Sequence, residues 1–168
     1  LPSGVTLMAA GDIGRDIFYG WPLALAWIGS LAWLAIMLIA FFKSPAKHAD
    51  LAYRADWVVR IAITVGLLAA AVYALAVGSP FGVDTNPKWL AGKIIAYALC
   101  IFCGIMIRVA LRPFGPAFGA LMTTGSTPEV EAGIGGAMKR AVPWVYSIWV
   151  LVLIASFLGV FKPGTLAG

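Results

Sequence analysis

Residues 89–111 read WLAGKIIAYALCIFCGIMIRVAL, and this run carries two charges, Lys93 and Arg108, each about one turn from an end. A helix rises about 1.5 Å per residue, so about 20 apolar residues cross the roughly 30 Å of hydrocarbon in a bilayer. The run is long enough for this. The sequence therefore predicts a transmembrane helix over residues 89–111.

Three further runs have the same character, at residues 21–42, 57–77 and 144–161, and every one of the four begins with tryptophan. Indole rings settle at the headgroup level of a bilayer, so these tryptophans mark membrane interfaces. The pattern predicts an all-α, polytopic integral membrane protein. We expect residues 1–168 to form a single membrane domain with four transmembrane helices in a bundle.

The composition excludes several other classes of protein. Hydrophobic residues make up 62% of the chain and charged residues 11%, with a mean hydropathy of +0.95. An ordinary soluble domain has roughly 45–50% apolar and about 25% charged residues. A free cytosolic enzyme, a disordered chain and a disulfide scaffold are therefore excluded.

Lysine and arginine are distributed unequally between the two ends of the predicted spans. One side has eight, namely Lys43, Lys47, Arg54, Arg60, Arg108, Arg112, Lys139 and Arg140, and the other has four, Arg15, Lys88, Lys93 and Lys162. Basic connections tend to stay in the cytoplasm. We therefore expect a bacterial inner-membrane protein with both termini on the outer, periplasmic side. The net charge of +5 is explained by this topology and by attraction to lipid headgroups, so no nucleic-acid partner is predicted.

Two shorter segments carry predictions. Residues 11–18 place three charges opposite apolar side chains, which suggests an amphipathic segment at the outer surface. In the connection between the third and fourth spans, Ser126 or Thr127 followed by Pro128 is typical of a helix start. We expect a surface helix over about 127–141, which the nearby glycines end or bend before the fourth span begins.

Cys100 and Cys103 form a CxxC pair in the third span. Such a pair in a quinone-linked thiol oxidoreductase needs a thiolate near the surface, whereas this one lies about a dozen residues into the span, where hydrocarbon disfavours the thiolate. The favoured interpretation is helix packing. Redox activity of Cys100 and Cys103 is the alternative.

Small residues support the packing interpretation. Gly92, Ala96, Cys100 and Gly104 recur every four residues and make a ridge that a neighbouring helix can approach closely. We expect the third span to be the central packing helix.

No catalytic, metal or cofactor site is predicted. The single histidine, His48, lies in a basic connection, and no set of convergent ligands, phosphate-binding loop or nucleophile–base pair is recognisable. Cations within the spans are the remaining candidates, because an unpaired charge in hydrocarbon is costly. Arg60 and Arg108 either extend their side chains to the headgroups or flank a pocket for an anionic lipid or quinone headgroup.

Three short motifs carry a family resemblance: Trp27-Ile28-Gly29, Lys88-Trp89-Leu90-Ala91-Gly92-Lys93 and Gly159-Val160-Phe161-Lys162-Pro163. In these, the chain resembles the four-helix membrane domains of the CopD-type copper-resistance family and the related membrane part of bacterial urate oxidases. The resemblance implies a four-helix membrane fold. Members usually carry histidines in their helices, and the predicted spans of this chain have none.

We therefore expect a non-catalytic membrane subunit or domain that packs against lipid and other membrane proteins, or against a second copy of itself. The alternatives are a permease-like or copper-handling domain and a quinone-linked thiol oxidoreductase.

Overall fold

A computed structural model describes residues 2–10, 19–42, 46–77 and 88–163. These residues are helical apart from short turns, and they include no strand. The helices are α1 (Pro2–Ala10), α2 (Trp21–Phe42), α3 (Ala46–Ala76), α4 (Lys88–Ala110), α5 (Phe114–Thr124) and α6 (Pro128–Phe161). The all-α prediction is confirmed for this part of the chain, and four of its helical segments are long and apolar enough to cross a membrane. The amphipathic segment predicted at 11–18 lies outside the described residues.

The predicted boundaries agree closely for α2 and α4 but not for α3. The sequence predicts a span beginning at Trp57, whereas α3 begins at Ala46. The eleven residues before Trp57 contain no glycine or proline and include four alanines and a leucine, all of which favour helix. The apolar run starts after the charged residues of this segment, whereas the helix starts before them.

The expectation of a separate surface helix over 127–141 is wrong. Residues 128–161 form one helix, α6, with Pro143 inside it. Its start is as predicted, because the Thr127 side chain accepts a hydrogen bond from the backbone N–H of Val130 (3.3 Å) and Pro128 occupies the first turn. A proline in a membrane helix is tolerated when side chains or neighbouring helices satisfy the freed backbone groups. The group that Pro143 frees is the carbonyl of Lys139, one turn earlier. The hydroxyl of Ser147 donates to the carbonyl of Pro143 itself (2.9 Å), which is a separate contact.

Packing gives Gly133, near the start of α6, a structural role within the helix. A Cβ atom added to Gly133 would lie 3.3 Å from the Cβ of Ala117 in α5. The absence of a side chain at Gly133 therefore lets α5 pack closely against α6. The helix α5 was not predicted, and it follows α4 after a turn at Leu111–Pro113.

The helix α4 is central in the fold. It packs most extensively against α6 and next against α3, and its buried residues include Trp89, Leu90 and Ala98. The side chains of Ile94 and Leu158 pack against Trp89 and Leu90. By contrast, α2 is peripheral, in contact with α3 on one side and with the short helix α1.

Candidate functional site

The most buried charged side chain of the described residues is that of Asp56, in α3. The residue is 1% exposed, and its carboxylate lies among apolar helices near the basic ends of α3 and α4. A buried carboxylate is costly unless hydrogen bonds and opposite charges compensate for the lost hydration. The surroundings of Asp56 supply both.

Three donors from three helices converge on this carboxylate. Its Oδ1 accepts a hydrogen bond from Trp33 Nε1 of α2 (3.0 Å). Its Oδ2 accepts one from Arg60 Nε (3.0 Å), one turn further along α3, and forms an ion pair with Nη1 of Arg108 in α4. We call these four residues, Trp33, Asp56, Arg60 and Arg108, the Asp56 cluster.

Aromatic rings complete the arrangement. The guanidinium carbon of Arg60 lies 5.3 Å from the centroid of the Trp33 ring, within the range of a cation–π contact. Next to the cluster, the guanidinium carbon of Arg112 lies 5.7 Å from the Trp57 ring. The rings of Tyr53 and Trp57 are 6.2 Å apart. The basic end of the described helices is therefore held together by both charge and aromatic contacts.

The geometry gives the Asp56 cluster two properties. It connects α2, α3 and α4 through one carboxylate, so it fixes their relative position. It also carries an excess positive charge, because one carboxylate faces two guanidinium groups. The Arg60 and Arg108 side chains are 23% and 32% exposed, so part of that charge remains accessible from outside the cluster.

The two arginines singled out from the sequence are thus brought together, but by a residue that sequence reasoning missed. One alternative from the sequence was that Arg60 and Arg108 reach the headgroups without a protein partner. The structure gives both a partner, because both bind Asp56. Their role in binding a lipid or quinone headgroup remains a prediction. The missed signal was present in the sequence: Asp56 and Arg60 are four residues apart and so share one face of a helix, at the start of an apolar run.

The two cysteines have different surroundings. Cys103 is buried, whereas Cys100 is partly exposed, and both are free thiols. Cys100 lines a groove between α4 and α6. Redox activity of the pair remains a prediction.

The small-residue ridge does not act as one continuous contact. A Cβ atom on Gly92 would lie 3.0 Å from Cδ1 of Leu158, so Gly92 lies against α6. Ala96 is buried, and Cys100 faces the groove. A Cβ atom on Gly104 would meet no atom within 4 Å. The first two residues of the ridge, Gly92 and Ala96, are therefore packed within the fold, whereas Gly104 has no close neighbour on its outer face.

Among the described residues, no group of three or more His, Cys, Asp or Glu side chains is placed to hold a metal ion. The side chain of His48 is not among those described. Comparison with known proteins adds no assignment: no protein-family model, no curated protein and no solved structure matches this chain.

Proposed function

We propose that this chain is a non-catalytic four-helix integral membrane subunit or domain that packs against lipid and against other membrane proteins. The proposal includes a bacterial inner membrane as its location, with both termini on the periplasmic side. The observation that carries it is the uncovered surface of α2.

The helix α2 is apolar throughout, yet no residue between 21 and 38 is buried. Ile28, Leu31 and Leu34 are each more than half exposed. At about 25 cal/mol per Å² of apolar surface, exposing such a helix to water would be strongly unfavourable. Lipid or another protein must therefore cover it.

The side of α2 that faces away from α3 carries small residues beside large ones. Ala24, Ala32 and Ala35 are exposed there, together with Ile28 and Leu31. Small residues are enriched where membrane helices contact each other, because they let the backbones approach closely. This supports a protein partner on α2, with lipid covering the larger apolar side chains of α6, such as Trp149 and Leu153, both 70% exposed.

Site-specific photo-crosslinking in intact membranes tests this assignment. A photoreactive amino acid at Ala35 is expected to give a discrete protein adduct, and the same group at Leu153 is expected to give lipid adducts. A mass-spectrometric identification of the adduct distinguishes a different subunit from a second copy of this chain. Lipid adducts alone at both positions would show that α2 has no protein partner.

One observation favours a second candidate function, a permease-like or copper-handling domain. An ionisable side chain buried within a membrane helix commonly marks a substrate or ion pathway, and Asp56 is such a residue. Metal analysis of the purified protein combined with a thiol titration separates the alternatives. Bound copper would favour copper handling, and a reactive Cys100–Cys103 pair would favour the thiol oxidoreductase.

A further inference from the structure

A groove runs between α4 and α6 at the opposite end of α4 from the Asp56 cluster. Its volume is about 340 Å³, and its lining includes Lys93, Tyr97, Cys100, Val152, Gly159 and Val160. This volume lies at the lower end of the range for sites that bind small organic molecules.

The groove is polar at one end and largely apolar along its length. Lys93 supplies the cation at the polar end. Cys100 follows seven residues later in the same helix, about 10 Å further along. Val152 and Val160 supply apolar surface from α6. A ligand that fits this distribution has an anionic head and an apolar chain.

The ammonium group of Lys93 is held close to the backbone of α6. A Cβ atom on Gly159 would lie 2.9 Å from Lys93 Nζ, so the glycine makes room for the charged end of this side chain. Among the described residues, no carboxylate lines the groove. Their acidic side chains, Asp56, Glu129 and Glu131, lie in other parts of the fold. The groove therefore presents a positive charge that its own lining does not neutralise.

The groove is open along the helix surface. Tyr97 and Val160 at its edges are 52% and 76% exposed, and the surrounding helices are apolar enough to lie in a membrane. A lipid molecule can therefore enter it sideways from the bilayer.

We propose that the groove is a binding site for an anionic phospholipid, with the phosphate on Lys93 and one acyl chain along Cys100 and Val152. Basic pockets between transmembrane helices on the cytoplasmic side bind anionic lipid headgroups in this manner, and Lys93 offers the same chemistry at the other end of α4. A zwitterionic headgroup such as phosphocholine also offers a phosphate, but it brings a second cation next to the ammonium group of Lys93, whereas the headgroup of an anionic lipid does not. A free phosphate ion would leave the apolar part of the groove empty.

Native mass spectrometry of the full chain, released from membranes that contain phosphatidylglycerol and phosphatidylcholine, tests the charge requirement. Lys93→Met is expected to lower the retained phosphatidylglycerol by about fivefold, the factor for one lysine contact with an anionic membrane lipid. Lys93→Arg is expected to restore it. The matched control is Lys139→Met, which removes the same charge from an exposed position of α6 outside the groove and should change nothing. Equal losses for Lys93→Met and Lys139→Met would overturn the proposal, because they would indicate general surface attraction.

Alkylation of Cys100 tests whether the acyl chain of the lipid lies along this residue. In a Cys103→Ala background, a membrane-permeant maleimide should react more slowly in nanodiscs containing phosphatidylglycerol than in phosphatidylcholine alone. Lys93→Met should abolish the difference, and soluble glycerol phosphate should give no protection. Equal rates in the two lipids, with the size-exclusion profile unchanged, would show that the groove does not hold the anionic lipid. Both measurements are independent of whether α2 has a protein partner.

Discussion

Asp56 and Arg108 form an ion pair that joins α3 to α4 across 52 residues of sequence. Arg60 shares the same carboxylate oxygen from within α3, so a single acceptor atom serves one contact within a helix and one between helices. The ion pair between α3 and α4 therefore requires both Asp56 and Arg108, whereas Arg60 shares the acceptor oxygen from within α3.

The first prediction concerns Asp56 itself. Asp56→Ala leaves two guanidinium groups without their carboxylate and should lower the free energy of unfolding. The loss should be smaller than the cost of about 3–5 kcal/mol for a fully buried unpaired charge, because the Arg60 and Arg108 side chains are 23% and 32% exposed. A double-mutant cycle with Arg108→Gln should show coupling, because the second substitution removes one of the charges left unpaired. Unfolding in detergent by added sodium dodecyl sulfate measures both. Strictly additive effects would contradict the interhelical ion pair.

Trp33 should contribute much less. Its indole donates one neutral hydrogen bond to Asp56 Oδ1, and side-chain hydrogen bonds between membrane helices average about 0.6 kcal/mol. We expect Trp33→Phe to reduce stability by about this amount, with a further small loss of the cation–π contact to Arg60. The same unfolding assay applies, and a loss as large as that of Asp56→Ala would mean that α2 depends on Trp33 for its attachment.

Three glycine-to-alanine substitutions should differ in their effect on stability. Alanine is favoured over glycine in a helix by up to about 1 kcal/mol, and Gly104→Ala should realise this gain because the added methyl meets nothing within 4 Å. At Gly92 and Gly133 the methyl would lie 3.0 Å from Leu158 and 3.3 Å from Ala117, so both variants should be less stable than Gly104→Ala. Thermal unfolding in one detergent gives the order. If Gly104→Ala ranked lowest, the close contacts described for Gly92 and Gly133 would be wrong.

The two cysteines should respond differently to added volume. Cys103 is 4% exposed, so Cys103→Leu should overfill its site and cost about 1–3 kcal/mol. Cys100→Leu should cost less, because its side chain enters the groove. Replacing both cysteines by alanine should leave assembly nearly unchanged. Size-exclusion profiles and unfolding curves measure these effects. If the variant with both cysteines replaced by alanine folded normally but lost an activity of the protein, the redox interpretation would be favoured.

The proposed orientation predicts sidedness of labelling. Met122 in α5 is 74% exposed and lies on the side that we assign to the cytoplasm. In a background without Cys100 and Cys103, Met122→Cys should react with an impermeant maleimide only after the cells are opened. Labelling in intact cells would show that the orientation is the opposite of the proposed one.

The sequence predicted what depends on long apolar runs and could not predict what depends on contacts between helices. The bounds of α2 and α4 follow from runs of the length that a bilayer requires. The early start of α3 was missed because residues 46–56 are polar enough to look like a loop although they favour helix. The continuity of α6 was missed because a glycine at position 133 indicates a helix end in the sequence, whereas in the fold it makes room for α5.

The residues of the candidate site could likewise be predicted only where they did not depend on contacts between helices. Arg60 and Arg108 stood out from the sequence because cations are rare in apolar runs. Asp56 was passed over because its significance depends on Trp33 and Arg108, which other helices bring to it. The groove was equally hidden, since Lys93 and Gly159 become neighbours only when α4 and α6 pack.

Pro143 divides α6 into two parts of different character. The 19 residues from Pro143 to Phe161 extend about 28 Å, close to the thickness of a hydrocarbon core, and the 15 residues before it extend about 22 Å further. Proline is where a helix bends most readily, because one backbone hydrogen bond is missing. In the proposed membrane placement, the missing hydrogen bond lies at the level of the membrane surface. A bend of α6 at Pro143 would move α5 and the first part of α6 without moving the part that borders Lys93.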